Sequence, residues 1–267
     1  EYATWYQKDL VGYYAALPFK YKINNEIMTC AMVCDVMTSP AMRGKGVFTK
    51  LGHYATDALK ENGLDFCSGY PIRPEVIPGH LKVGWKIAFE LPLYIKLLRS
   101  NSLLKKKYLG FLSSTVNFFL KMYQVSLRIL TNRESSLQLN ILSIKEFDQI
   151  KGYKVFFDDW QQSIPHVLIK DSIFMNWRLG APEVDYQIVT LHDEGILLAL
   201  VVVRQSEMEG IPCLAILDNM LKPGYSNEKG LQGRLHEELE KIALSIKVEA
   251  IVLMVSKYWA KRYSLIK

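Results

Sequence analysis

The sequence lacks several features that would place it quickly in a class of protein. Its four cysteines, Cys30, Cys34, Cys67 and Cys213, form no CxxC pair and lie in apolar stretches. We therefore expect structural thiols in a reducing cytoplasm rather than a metal site or a disulfide framework. No signal peptide is visible. These absences favour an ordinary globular protein of the cytoplasm.

A strong excess of charge is also missing. The chain of 267 residues has a formal net charge of +6 at pH 7, with 49% hydrophobic and 22% charged residues. This composition suits a globular chain long enough for two modest domains. The charge favours phosphorylated small molecules, whereas a nucleic-acid partner is not expected. Glu1 stands within a strand-like stretch and residues 264–267 follow another, so we expect a fragment of a longer protein.

The longest apolar segment, residues 108–130, is too polar to cross a bilayer, which takes roughly 20 mostly apolar residues. Four residues interrupt it: Asn117, Lys121, Gln124 and Arg128. The lysines at 105–107 just before it would suit an interfacial helix on anionic lipid. The alternative is an amphipathic helix packed between two domains, with a solvated basic entry.

The first part of the chain predicts a strand meander completed by a helix and further strands. Aromatic and β-branched residues predict strands over 1–7, 10–22 and 27–37. Residues 47–62 predict an amphipathic helix and 64–70 a buried strand. Because crossovers usually return to the same sheet, we expect 64–70 to lie parallel to 27–37. Residues 85–96 predict a final strand.

The same order of elements recurs after a helical stretch at 97–133. Strands are predicted over 137–144, 186–191, 196–203, 211–220 and 250–255, and helices over 146–161, 170–179 and 229–246. We therefore predict an α+β protein with mostly antiparallel mixed sheets and flanking helices. Two copies of one fold would form a first domain at 1–96 and a second at 135–267, joined by a helical linker at 97–134.

The turn Arg43-Gly44-Lys45-Gly46-Val47-Phe48 lies between the third predicted strand and its helix. Glycine tolerates a positive φ and lets the backbone approach a ligand closely. The amides and the dipole of a helix N-terminus attract anions. The turn therefore predicts a site for a nucleotide or coenzyme pyrophosphate.

The meander, glycine turn, helix and crossover strand together resemble the GCN5-related N-acetyltransferase (GNAT) superfamily. Its coenzyme A motif, Gln/Arg-x-x-Gly-x-Gly/Ala, is similar to residues 43–48, although Phe48 replaces the small final residue. The resemblance implies two tandem acyl-CoA N-acyltransferase-like domains and acetyl-CoA as acyl donor, without a metal. It implies that strand residues 34–37 pair with the pantetheine arm and that the amides of 43–49 hold the pyrophosphate. The implied coenzyme-binding residues are Val36, Met37, Arg43, Gly44, Lys45, Gly46, Val47, Phe48 and Thr49.

Acetyl transfer needs a base for the amine, polarisation of the thioester carbonyl and an acid for the leaving thiolate. The candidates are Tyr70, Asp35, Glu75 and His80. Tyr70 could instead close its strand, Glu75 could be solvated and His80 could satisfy a backbone carbonyl. Asp35 would have a raised pKa if it faced inward and would be ordinary surface if it faced outward.

The corresponding turn in the second half, residues 222–234, has spread glycines and a carboxylate at Glu228 that would repel phosphate. We expect this copy to be degenerate and not to bind acetyl-CoA. The leading hypothesis is an N-acetyltransferase acting on an amine of a small molecule or sugar. The alternatives are an aminoacyl transferase of the peptidoglycan-bridge type and a non-catalytic coenzyme-binding or scaffold module. Contact with a membrane surface and the oligomeric state stay open.

Overall fold

A computed structural model describes residues 1–71, 73–130, 137–226 and 228–262. The chain divides into two compact units, Glu1–Ala88 with Ile164–Ile169 and Phe89–Ser163 with Lys170–Lys267. The helices and strands follow one another as β1 (Tyr2–Tyr6), β2 (Asp9–Ile23), β3 (Glu26–Thr38), α1 (Val47–Glu61), β4 (Phe66–Gly69), α2 (Ile77–Lys82), β5 (Leu93–Leu97), α3 (Asn101–Lys106), α4 (Ser113–Leu130), β6 (Gln138–Ser143), α5 (Tyr153–Gln162), β7 (His166–Leu168), α6 (Ser172–Leu179), β8 (Gln187–Asp193), β9 (Ile196–Met208), β10 (Ile211–Leu221), α7 (Glu228–Ser245), β11 (Ala250–Met254) and α8 (Lys257–Arg262).

The sheet of the first unit is the predicted meander with its crossover strand. β1, β2 and β3 pair antiparallel in sequence, and β4 pairs parallel with β3 after the helical crossover through α1. The short strand β7 pairs with the far end of β2. The predicted meander and the parallel return strand are both confirmed.

Helix α1 packs on this sheet through its apolar face. Leu51 and Ala55 join Tyr14 and Val33 in one buried cluster, so four side chains from three elements fix the helix against the strands. Gly46 precedes the helix as its N-cap. The packing therefore holds the N-terminus of α1 at a defined position after β3.

The second unit contains a six-stranded sheet with the order β5-β11-β10-β9-β8-β6. β10 and β11 are parallel, whereas the other neighbours are antiparallel. Every residue from Leu197 to Val203 of β9 is buried, as expected for a strand covered on both faces. Two mixed sheets with flanking helices confirm the predicted α+β class.

Two sequence-based assignments were wrong, and one strand was missed. The strand predicted at 85–96 spans only Leu93–Leu97, and it pairs with β11 of the second sheet rather than with the first. The helix predicted at 146–161 is a 3-10 turn at Ile144–Gln149 followed by α5, because Gly152 adopts a φ of +76° between them. The three-residue strand β7 was missed. Local patterns do not encode the partner of a strand, and three residues carry little periodicity.

The parallel strand pairs of the two sheets have the same register. β3 pairs with β4 from Cys30–Phe66 to Val33–Gly69, and β10 pairs with β11 from Cys213–Ala250 to Ile216–Leu253. Counted from the paired cysteines, Asp35 and Met37 of β3 correspond to Asp218 and Met220 of β10. Each long strand also has a bulge directly after its last parallel pair.

Candidate functional site

The first unit has an opening between β3 and β4. Their pairing ends at Val33 and Gly69, but β3 continues to Thr38. Tyr14 pairs with Val36 and Ala16 with Val33, which leaves one extra residue on β3 and makes a bulge there. Among the strands of the described residues, the backbone of 34–38 has a partner only on the β2 side. An extended ligand arm could pair with the other edge.

The turn after β3 is shaped for an anion. Gly44 and Gly46 have φ of +76° and +79°, and a Cβ on either would meet no atom within 4 Å. The first helical hydrogen bond runs from Lys50 N to Gly46 O at 3.0 Å. The amides of residues 47–49 therefore have no acceptor inside the helix, and no side chain caps it. Arg43 and Lys45 are both exposed beside these amides.

Phe48 does not narrow the turn, contrary to what its size suggests. Its ring packs on α2, where a Cβ added to Gly79 would lie 2.6 Å from Phe48 Cε1. The ring also meets His80 edge-on, with 5.1 Å between the ring centroids. Because Gly79 has no side chain, α2 leaves room for the Phe48 ring. The ring therefore packs against α2 and does not fill the glycine turn.

The contact between Phe48 and Gly79 predicts that Gly79→Ala changes stability in opposite directions with and without the Phe48 ring. In the otherwise native chain, we expect Gly79→Ala to lower the free energy of unfolding by about 1–2 kcal/mol, because overpacking outweighs the better helix propensity of alanine. In a Phe48→Ala background the clash is gone, so the same substitution should be neutral or raise stability by up to about 1 kcal/mol. Urea unfolding of the four chains measures both effects. An equal loss in both backgrounds would contradict the contact.

Two of the four predicted catalytic residues lie at the opening. Asp35 is the second residue of β3 past the last parallel pair, and Tyr70 is the first residue past β4. Asp35 is exposed, which is the outward of the two orientations considered. Partial burial raises the pKa of Tyr70, while a hydrogen bond with Tyr21 acts in the opposite direction. The phenol therefore keeps its proton at neutral pH, as a general acid must.

The other two candidates lie farther along the chain. Glu75 is exposed in the 3-10 turn at Pro74–Val76. His80 lies among aromatic rings, with 4.7 Å to the Trp85 centroid and 6.4 Å to that of Tyr14. Burial lowers the pKa of His80, so the ring is neutral at pH 7. Its buried Nδ1 has no hydrogen-bond partner among the described residues.

In the second unit, the residue that corresponds by register to Asp35 is Asp218, and it forms an ion pair with Lys170. Lys170 Nζ lies 2.6 Å from Asp218 Oδ2, and the two side chains are only 15% and 17% exposed. The same ammonium lies 5.0 Å from the centroid of the Trp160 ring. Neither Lys170 nor Asp218 was identified as notable from the sequence. The shared spacing Cys-x4-Asp-x-Met at 30–37 and 213–220 was the available signal.

The described part of the chain has neither a metal-binding cluster nor a membrane-crossing helix. No group of three or more His, Cys, Asp or Glu side chains there could hold a metal ion. No described helix has the length and apolar character needed to cross a membrane.

The fold is similar to that of known proteins. Three solved structures share the fold of this chain. A probable N-acyltransferase of unknown function from Enterococcus faecalis superposes with a TM-score of 0.62 at 14% identity, over 94% of this chain and 54% of that one. A GCN5-related N-acetyltransferase from Anabaena variabilis gives 0.62 at 13% identity, over 96% and 55%. Another from Kribbella flavida gives 0.56 at 14%, over 94% and 51%.

Residues 2–88 match the family model of the acetyltransferase (GNAT) domain. This part of the chain is similar to the GCN5-related N-acetyltransferase superfamily. No curated protein matches the chain in sequence. The chain spans about half the length of the solved structures that it matches.

Proposed function

We propose that the protein is an N-acetyltransferase that moves an acetyl group from acetyl-CoA to an amine of a small molecule or amino sugar. The proposal rests on one observation: three features follow one another along the chain. They are the open edge of β3 past Val33, the glycine turn at 43–46 and the uncapped N-terminus of α1. A ligand with an extended arm and a pyrophosphate needs these features in this order. Coenzyme A has both parts.

The residues of the turn fit the proposed donor. The amides of 47–49 would donate to phosphate oxygens, in charge-assisted hydrogen bonds that are stronger than neutral ones. Arg43 and Lys45 would add positive charge beside them. Along the open edge of β3, the backbone at Val36 and Met37 would pair with the pantetheine arm. The open space around Gly44 and Gly46 is consistent with close approach of a phosphate.

The proposed chemistry divides between the two sides of the opening. Asp35 would accept the proton of the acceptor amine, and Tyr70 would protonate the departing thiolate, since its raised pKa keeps it protonated. Asp35 faces outward as a surface carboxylate does, but its place at the opening leaves it accessible to a soluble amine. We assign His80 to packing, because its neighbours are aromatic rings, and leave Glu75 as the second candidate base.

We also propose that the second unit is a degenerate copy of the same domain. The repeated register supports this, as does the ion pair of Asp218 with Lys170. Glu228 opens the first turn of α7 and would repel a phosphate there. The described cysteines are free thiols, in agreement with the proposed cytoplasmic location.

The proposal is tested by binding and turnover on the intact chain. Thermal stability should rise with acetyl-CoA or CoA and stay unchanged with tRNA, and free thiol should appear when a panel of amines and amino sugars is added. A shift with tRNA alone would favour the aminoacyl transferase, and binding without turnover on any amine would favour a non-catalytic module. No shift with any CoA species would reject the proposal.

The charge at position 43 offers a sharper measurement. We expect Arg43→Glu to weaken acetyl-CoA binding by about 1.5–3 kcal/mol, the value of a hydrogen bond to a charged group. Lys60→Glu makes the same change of charge at an exposed site in the last turn of α1, and its affinity should stay within about 0.5 kcal/mol of the native one. Isothermal titration measures both. Equal affinities for the two variants would show that Arg43 does not reach the phosphates.

A further inference from the structure

One segment accounts for the whole net positive charge of the chain. Residues 91–133 contain eight Lys and Arg and no Asp or Glu, which leaves 25 basic and 27 acidic residues elsewhere. The segment includes α3 and α4. Four of the eight lie on these two helices. A concentration of one sign of charge in one segment needs a reason beyond solubility.

Helix α4 turns two polar side chains, Asn117 and Gln124, toward the protein. Asn117 Oδ1 accepts from the backbone amide and from the hydroxyl of Ser100, both at 2.8 Å. Two turns later, Gln124 is buried and donates to Leu98 O at 3.3 Å. Val116 and Leu120 on the same side are half-buried. These contacts fix which side of the helix faces the protein.

The opposite side of α4 presents large apolar residues to solvent. By helical spacing, positions 115, 118, 119 and 122 of α4 lie on the side away from Asn117 and Gln124. Three of them carry large exposed side chains: Phe118 is 60% exposed, Phe119 65% and Met122 55%. Phe111, in the short 3-10 turn at Gly110–Leu112 just before the helix, is 79% exposed. Exposed apolar residues this large, gathered on one helix side, mark an interaction surface.

Three lysines lie shortly before α4 in the sequence. Lys105 and Lys106 end α3, Lys107 follows it, and all three are exposed. Tyr108 after them is 94% exposed with a φ of +58°. Lys106 Cε lies 3.3 Å from the position of a Cβ on Gly210, so it leans on the β9–β10 turn. We call Lys105, Lys107, Tyr108, Phe111, Phe118 and Met122 the basic aromatic face.

We propose that the basic aromatic face binds the surface of a membrane that contains anionic lipid. Aromatic and apolar side chains would enter the boundary of the headgroups and acyl chains, while the lysines would remain at the anionic headgroups. The charge argues against a second copy of this chain as the occupant, because a two-fold contact would oppose lysines to lysines. The helix lies on the surface, since it does not qualify as a membrane-crossing helix.

The test is co-sedimentation of the intact chain with vesicles of phosphatidylcholine, with and without phosphatidylglycerol. We expect binding to the anionic vesicles only, weakened by added salt. The double variant Lys105→Gln, Lys107→Gln should bind about 25-fold more weakly, since each lysine contributes about fivefold. The double variant Phe111→Ser, Phe118→Ser should lose roughly tenfold or more.

Each variant has a matched control. Lys8→Gln with Lys60→Gln removes two exposed lysines elsewhere. Ile173→Ser with Val155→Ser removes two apolar side chains that are 81% and 64% exposed. Both controls should bind anionic vesicles like the native chain. Thermal melts of all variants verify folding, and a Tyr108→Trp chain should show a blue shift of its added fluorescence on anionic vesicles alone.

Several results would overturn the proposal. Equal binding to neutral and anionic vesicles, or equal losses in the test and control variants, would remove the basic aromatic face from the interaction. Absence of vesicle binding together with a change of oligomeric state in Phe111→Ser, Phe118→Ser, seen by sedimentation velocity, would assign the face to a contact between copies. Binding to an acidic protein but to no vesicle would equally exclude lipid.

Discussion

The Gly46→Trp variant is expected to lose measurable acetyl transfer, with acetyl-CoA binding weakened about 100-fold or more. The indole would stand in the space in front of the amides of 47–49, where a Cβ at Gly46 meets no protein atom within 4 Å. Loss of two charge-assisted hydrogen bonds accounts for about 3 kcal/mol or more. The left-handed φ of +79° adds about 1–2 kcal/mol of strain in any residue other than glycine.

The other end of α1 supplies a matched control for that strain. Gly63 has a φ of +78° and equally open surroundings, and the 15-residue helix between it and Gly46 is about 22 Å long. Gly63→Trp should therefore lower the free energy of unfolding as much as Gly46→Trp, while coenzyme binding and turnover stay native. Titration, thiol release and urea unfolding of both variants separate strain from loss of the site. Native acetyl-CoA affinity in Gly46→Trp would reject the turn as the phosphate site.

The second large effect concerns the ion pair in the second unit. We expect Lys170→Met to lower the free energy of unfolding by about 3 kcal/mol, because it leaves the Asp218 carboxylate without its partner in a largely buried place. It also removes the cation from the face of the Trp160 ring. The double variant Lys170→Met, Asp218→Asn should recover a large part of this loss, since the orphaned charge is then gone.

A surface pair provides the comparison. Lys154 and Asp158 are 2.7 Å apart but 86% and 47% exposed, so Lys154→Met should cost no more than about 0.5 kcal/mol. Urea unfolding measures all four chains. Equal small losses of stability for Lys170→Met and Lys154→Met would show that water screens the Lys170–Asp218 pair. The ion pair would then not occupy, as a stabilising contact, the place in the second unit that matches the opening of the first.

Much of the first unit was predictable because its signals are local. Aromatic and β-branched residues indicate the three strands, and Lys8-Asp9 and Asn24-Asn25 lie between them. Leu51, Ala55 and Leu59 recur at helical spacing and are the buried side of α1, and Gly46 and Gly63 flank the helix. These features depend on backbone conformation and side-chain periodicity, which neighbouring residues determine.

The bulge, the placement of Phe48 and the partner of β5 depend on distant residues. The bulge at Cys34 and Asp35 exists only in relation to β2. The fit of Phe48 depends on Gly79, which is 31 positions later in the sequence. Asn117 and Gln124 of α4 were visible in the sequence, but their inward orientation follows from hydrogen bonds to Ser100 and Leu98. Sequence patterns alone therefore gave α4 an amphipathic character without saying which side faces the protein.

The passage of the chain between its two compact units affects how it can fold during synthesis. β7, at His166–Leu168, completes the first sheet although the chain has by then already entered the second unit. A ribosome that has released residues 1–88 has therefore made only four of the five strands of that sheet. The edge of β2 at Tyr21–Ile23 has no β7 partner until residue 168 has been synthesised. A gene cut after residue 88 would leave this edge permanently unpaired, which is a known route to aggregation.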